Sequence, residues 1–333
     1  MTTPKETKSA AAKSIVISVL LIVVAGYVPA IIMGALGWKS AVSLAMLGGM
    51  ATFLACTMGK GWHTGLIIAV PFSVFTALIV WSAPYALLAA IVMAGAAFLR
   101  GYGGKVGLHN ALMMTVISLG FILAQPPKPV GTFAAPIFAG LVMLATTLWV
   151  TLIVFLAKRW VHPPKLQSLV AARVVAFGVV LGIMIGIASW CVVHFELGHG
   201  GAWIILTILV VFQPYLGAGI KKAGARAAGT VAGFVIAIVV GLFFSGGAVL
   251  YVIGSILLVV ALVFMMTGKP YWLFATFLTP AIVLYDSAGA TVEKVAVERL
   301  EATIVGVLGT LVVMLALTPI AKRLALKAGQ TEY

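Results

Sequence analysis

Apolar residues run through this chain in long unbroken blocks, separated by short clusters of Gly, Pro, Lys and Arg. Blocks of that length match the thickness of a bilayer better than the amphipathic stripe of a soluble helix. Cutting at the clusters predicts about twelve helices, with cores near 14–34, 39–58, 62–81, 84–99, 106–124, 132–157, 173–195, 201–219, 225–244, 247–266, 270–286 and 299–319. The fold expected is therefore all-α and polytopic. The first block is read as a span and not a cleaved leader, because equally apolar blocks follow it along the whole chain.

Composition agrees. Of the 333 residues 63% are hydrophobic and 8% charged, with a mean hydropathy of +1.22, and a water-soluble domain cannot bury that much apolar surface. Cys56 and Cys191 each lie in an apolar block without a nearby partner, so neither a disulfide framework nor a metal knuckle is indicated. The net charge of +14 is gathered between blocks and does not form a nucleic-acid-binding face.

Charge also predicts orientation. With a cytoplasmic N-terminus, 17 basic residues fall on the inner side and only Lys39, Lys128, Lys294 and Arg299 on the outer, as the positive-inside bias requires. Both termini are then cytoplasmic. The sequence runs twice at an offset of about 165, since GWKSAVSLAML (37–47) resembles GAWIILTILVV (201–211) and FLAKR (155–159) resembles PIAKR (319–323). An even number of spans per copy makes this a parallel repeat. Two six-helix units, 1–160 and 161–333, are expected, joined through KRWVHPPKLQSL.

The chemistry sits in two octapeptides, RAAGTVAG (226–233) and RLEATIVG (299–306). Helical spacing places Arg226, Thr230, Gly233 and Ala237 on one face, and Arg299, Thr303, Gly306 and Thr310 on another. A guanidinium at the hydrocarbon centre is costly, so each Arg is expected at a span end or facing a wet cavity. Two readings stand. Either the Arg residues anchor span ends by snorkelling while Gly and Thr let helices approach, or their planar forks grip a carboxylate with two hydrogen bonds. HGGAWIILTILVVFQPYLGAG (199–219) adds Trp203, Thr207 and Gln213. Its Pro214 cannot donate to the carbonyl of Val210, so that acceptor must find a helix, a water or a ligand.

AWIILTILVVFQPYLGAGIKKAGARAAGTVAGFV (202–235), followed by ERLEATIVGVLGT (298–310), resembles the core of the fusaric acid resistance or aromatic acid exporter family. The likeness rests on Trp203 and Thr207, on Gln213 and Pro214, and on Arg226, Gly229, Thr230 and Gly233. A six-span unit of the same kind resembles plant aluminium-activated malate channels. The resemblance implies proton-driven efflux of aromatic carboxylates or related organic anions across the cytoplasmic membrane. It departs from the family in lacking a sizeable soluble domain after each six-span block, where only 158–172 and 321–333 remain.

The first copy has no such Arg motif. GKGWHTGL (59–66) aligns with GARAAGTV (224–231) and offers Lys60 and His63, which with Arg100, Lys105 and His109 make the inner entrance cationic or simply follow the loop bias. A coupling proton requires a titratable group, and the candidates are Asp286, Glu298 and His63. Lys294, Glu298 and Glu301 should pair along a solvated face. His194, Glu196 and His199 in HFELGH do not share a helical face, and no metal site or cofactor is expected.

Three functions are thus weighed: an organic-anion exporter, an anion channel, and a protein whose Arg residues are only anchors. An enzyme is disfavoured, because no nucleophile has a base within reach. The expected partners are a small organic anion and the lipid bilayer. A homo-oligomer and a periplasmic adaptor are left open by the sequence.

Overall fold

In the computed structural model, which describes residues 16–17, 19–127, 134–161, 163–244, 246–287 and 291–327 (side chains of 286 and 320–327 excepted), twelve helices follow one another. They are α1 (Val19–Ala35), α2 (Lys39–Met58), α3 (Trp62–Ser82), α4 (Ala86–Tyr102), α5 (Ala111–Ala124) and α6 (Ala134–Leu156). The second run is α7 (Ala171–His194), α8 (Gly198–Val211), α9 (Leu216–Phe243), α10 (Gly247–Met266), α11 (Tyr271–Asp286) and α12 (Val292–Lys327). Eight of them are long and apolar enough to cross a membrane, while α1, α5, α8 and α11 are apolar but shorter.

The bounds of α2 and α10 are those expected. Elsewhere the sequence reading is corrected. The span expected at 201–219 stops at Val211, and the next helix starts at Leu216 instead of 225. Pro214 has no N–H and biases the residue before it away from helix, so the chain opens through Phe212–Tyr215 and restarts beyond it. Helix α12 begins at Val292, seven positions before Arg299, and α9 begins ten positions before Arg226. Neither Arg therefore opens its helix, because charge clusters mark the edge of the hydrocarbon and not the end of helical backbone.

The helices form two compact units, Met1–His199 and Gly200–Tyr333. Helix α7 packs with the first unit, chiefly on α4, so the packing division falls one helix later than the expected repeat boundary near 160. In the first unit α3 lies on α6, and α2 touches α1, α5 and α6. In the second, α9 packs on α11 and α12, and α11 also packs on α10.

Small residues make these contacts. Gly101 meets Gly178 where α4 crosses α7, and Gly65 meets Thr151 where α3 crosses α6. In the second unit a methyl group at Gly229 would sit 2.5 Å from Ala275 Cβ and 2.7 Å from the Trp272 carbonyl. At Gly233 it would sit 2.6 Å from Thr279 Cβ. Lipid tails are as apolar as side chains, so burying oil does not draw helices together in a bilayer; close backbone approach and van der Waals packing do. The outward surface shows the same solvent. Val231, Val235, Val239 and Leu242 are exposed along α9, opposite a buried row of Gly219, Ala223, Arg226, Gly229, Thr230, Gly233 and Ala237. Apolar residues face out and the polar ones face in, the reverse of a soluble helix.

Gly229→Val should therefore push α9 off α11 at a cost of about 1–3 kcal/mol, as overpacking does. Gly224→Ala, where an added methyl meets nothing within 4 Å, should be neutral or slightly stabilising. Thermal unfolding of detergent-solubilised protein, followed by size-exclusion fluorescence, would separate the two.

Candidate functional site

In α9, the spacing of Arg226, Thr230, Gly233 and Ala237 does produce one face, and that face is buried. Arg226 is fully buried and Thr230 nearly so. The three guanidinium nitrogens of Arg226 and the hydroxyl of Thr230 have no hydrogen-bond partner among the described residues. A hydrogen-bond donor withdrawn from water and left unmatched costs about 1–3 kcal/mol, more when it is charged. Arg226 is therefore no snorkelling anchor in this structure.

The second motif is buried as well, and its guanidinium is held by an aromatic ring. The Cζ atom of Arg299 lies 3.7 Å from the centroid of Trp203, and both residues are at most 2% exposed. Trp offers the strongest π-face for a cation, and the attraction grows once both groups lose water. Trp203 is thus a buried partner of Arg299. Gly306 lets α12 reach α8 at this point, since a methyl group there would lie 2.7 Å from Thr207 Cβ.

Two contacts fix the antiparallel register of α9 and α12, Gly219 against Met314 and Gly241 against Val292. In that register Thr230 and Thr303 fall at the same height. Arg226 and Arg299 then stand on either side of the threonine pair, ~12 Å apart along the helix axis at 1.5 Å per residue. The two motifs, 73 positions apart in the chain, thus lie at overlapping heights on neighbouring helices, the first with its glycines against α11 and the second with Arg299 and Gly306 against α8.

The hydroxyls differ in what they can still do. Thr207 donates to the carbonyl of Trp203 at 2.7 Å, Thr303 to that of Arg299 at 2.9 Å and Thr310 to that of Gly306 at 2.6 Å. Their protons are committed to the preceding turn and only lone pairs remain. Thr230 alone among the motif threonines has no such bond among the described residues. Gln213 is also committed, for its Nε2 donates to the carbonyl of Val210 at 2.8 Å. That carbonyl is the acceptor freed by Pro214, so the side chain next to the break closes it, without a ligand or a neighbouring helix.

The proton candidates stand in three different surroundings. Glu298 is exposed and sits 4.0 Å from Lys294, on the outer side of α12, while Arg299 beside it in sequence turns inward. His63 lies in the first unit, exposed at the start of α3 and stacked on Trp62. Asp286 ends α11, and its side chain lies outside the described residues. Among the described residues no three of His, Cys, Asp and Glu gather as metal ligands would. His194 stacks instead on Trp190.

The first unit holds a third buried guanidinium, which the sequence reading placed in a cationic inner entrance or among ordinary loop charges. Arg100 is fully buried near the end of α4, donates from Nε to the carbonyl of His109 at 3.1 Å, and stands 5.6 Å from the ring of Phe177. His109, in the turn between α4 and α5, is itself buried. Burial first, and then the charge of Arg100, push its imidazole down to about 4.

Residues 189–313 match the family model described as fusaric acid resistance protein-like, the family expected from the sequence. The matched stretch contains Trp203, Thr207, Gln213, Arg226, Thr230, Arg299 and Thr303. Searches of the curated proteins and of the solved structures each gave no match. Eight helices long and apolar enough to cross a bilayer fit a multi-pass membrane protein, and the stretch 189–313 is what is similar to the fusaric acid resistance protein-like family.

The Arg100–His109 contact gives a pH prediction. The imidazole stays neutral in the fold to about pH 4, whereas the unfolded chain protonates near its ordinary value of 6.5. Stability contributed at this position is full above pH 6.5 and declines as the pH falls toward 4. His109→Gln should flatten the acid limb of the melting-temperature profile between those values. An unchanged profile would show that the ring takes up its proton freely in the folded state.

Proposed function

We propose that this protein exports organic anions, aromatic carboxylates foremost, across the cytoplasmic membrane by proton-coupled secondary efflux. The observation that carries the reading is Arg226, a guanidinium wholly buried in an apolar bundle, whose three nitrogens have no hydrogen-bond partner among the described residues. A carboxylate supplies what that fork lacks, two oxygens in one plane at the spacing of two N–H donors. Thr230 adds a free hydroxyl on the same face. Arg299, backed by Trp203, offers a second cationic post on the neighbouring α12, with Thr303, Thr207 and Gln213 lining the approach.

The proposed cycle has an anion pass between the two posts while the two halves of a parallel repeat rock about it, with both termini on the cytoplasmic side. Support for a repeat comes from the sequence, where GWKSAVSLAML (37–47) resembles GAWIILTILVV (201–211) and FLAKR (155–159) resembles PIAKR (319–323). The first copy has GKGWHTGL (59–66) where the second has GARAAGTV (224–231) and so lacks the Arg motif, and the anion path is therefore assigned to the second copy. Glu298, Asp286 and His63 are the groups proposed for the coupling proton.

The decisive experiment loads proteoliposomes with labelled benzoate and follows its exit under an imposed proton gradient. Arg226→Lys and Arg299→Lys should each lower export about tenfold or more with near-normal protein levels, because the charge is kept and the bidentate fork is lost. Wild-type rates in both variants would return these residues to structural roles. Benzoate current that ignores the proton gradient would identify a channel.

A further inference from the structure

Helix α11 packs on α9 along the buried row that holds Arg226, forming a seam whose polar groups on the α11 side have no assigned role. The two helices run parallel. Gly229 faces Ala275 and the carbonyl of Trp272, and Gly233 faces Thr279. One end of the seam is closed by Lys222, whose Nζ lies 4.3 Å from the centroid of the Tyr271 ring. Arg226 belongs to the same row, since 222, 226, 229 and 233 follow one another at helical spacing. The register set by the two glycines puts Arg226 level with Tyr271 and Trp272. Long side chains on a helix lean toward its N-terminus, so on parallel helices the Arg226 fork and the Tyr271 phenol lean the same way, beneath Lys222.

The hydroxyl of Tyr271 is buried and has no hydrogen-bond partner among the described residues, as is true of all three nitrogens of Arg226. Ammonium and guanidinium can only donate, and the phenol has a proton to give. A cluster made this way is completed by a group that only accepts and carries negative charge.

We infer that Tyr271 is a binding residue. It donates its O–H to the carboxylate held by Arg226, and Lys222 fixes the phenol ring by its charge and adds attraction at the entrance to the seam. This rests on the organic-anion reading above and adds to it a residue on a different helix. A carboxylate has about four lone-pair sites, enough for two bonds from the guanidinium and one from the phenol.

The test is benzoate binding to the purified full-length chain in detergent, by titration calorimetry, apart from any transport assay. Tyr271→Phe keeps the ring and its contact with Lys222 and deletes only the donor. It should weaken benzoate ~10–100-fold, the range for a hydrogen bond to a charged group. Tyr285→Phe, on the same helix but with its hydroxyl 2.7 Å from Ser255, should bind as wild type. If Tyr271→Phe does not yield folded protein, Lys222→Met serves in its place and should weaken binding several-fold.

Unchanged affinity in the folded Tyr271→Phe protein, or in Lys222→Met where that variant stands in, would overturn the assignment even if export is intact. Wild-type protein that binds benzoate with this mutational pattern but moves none in proteoliposomes would retire the export reading and leave Tyr271 in place. Wild-type protein that binds no benzoate would remove both.

Discussion

A positive charge held inside an apolar bundle has to be matched, and the second unit is built around that requirement. Two guanidiniums are buried there, one against an indole and one in a seam of hydroxyls. The glycines that accompany them are part of the same arrangement. Without Gly229 and Gly233, α9 could not lie close enough to α11 to shut water away from Arg226. Without Gly306, α12 could not come to Thr207 and set Arg299 on Trp203. The motif Arg, three residues, Thr, two residues, Gly thus combines a charge with the backbone thinness that buries it.

Much of this was legible in the amino-acid order. The long apolar blocks gave the helices, and helical spacing put Arg226 and Thr230 on one face, which is where they are. The break between α8 and α9 was misplaced for a physical reason. Hydropathy stays high from Val210 to Gly219, and only the missing N–H of Pro214 ends the helix, with the amide of Gln213 closing the carbonyl it exposes. The early starts of α9 and α12 were missed because a cut at Lys221, Lys222 or Glu298 assumes that helix and hydrocarbon end together.

Two side chains owe their setting to partners that local sequence does not mark. Trp203 and Arg100 both lie near segment ends, where local sequence favours a headgroup contact. What buries them is a partner distant in sequence, Arg299 for the indole, and for Arg100 the carbonyl of His109 and the ring of Phe177. A single chain without related sequences carries no local mark of such partners. Lys222 and Tyr271 show the same limitation, since neither belongs to the octapeptides and each gains meaning only when α9 and α11 are laid side by side.

The shortness of α8 has its own consequence. Fourteen residues rise ~21 Å, against a hydrocarbon thickness of ~30 Å, and the helix ends at Val211 in the open link Phe212–Tyr215. Non-helical backbone at such depth persists only where protein or water covers it. Here protein is the cover, since Val211 and Phe212 are buried, and the bundle thus holds in its interior a backbone break that lipid alone could not accept.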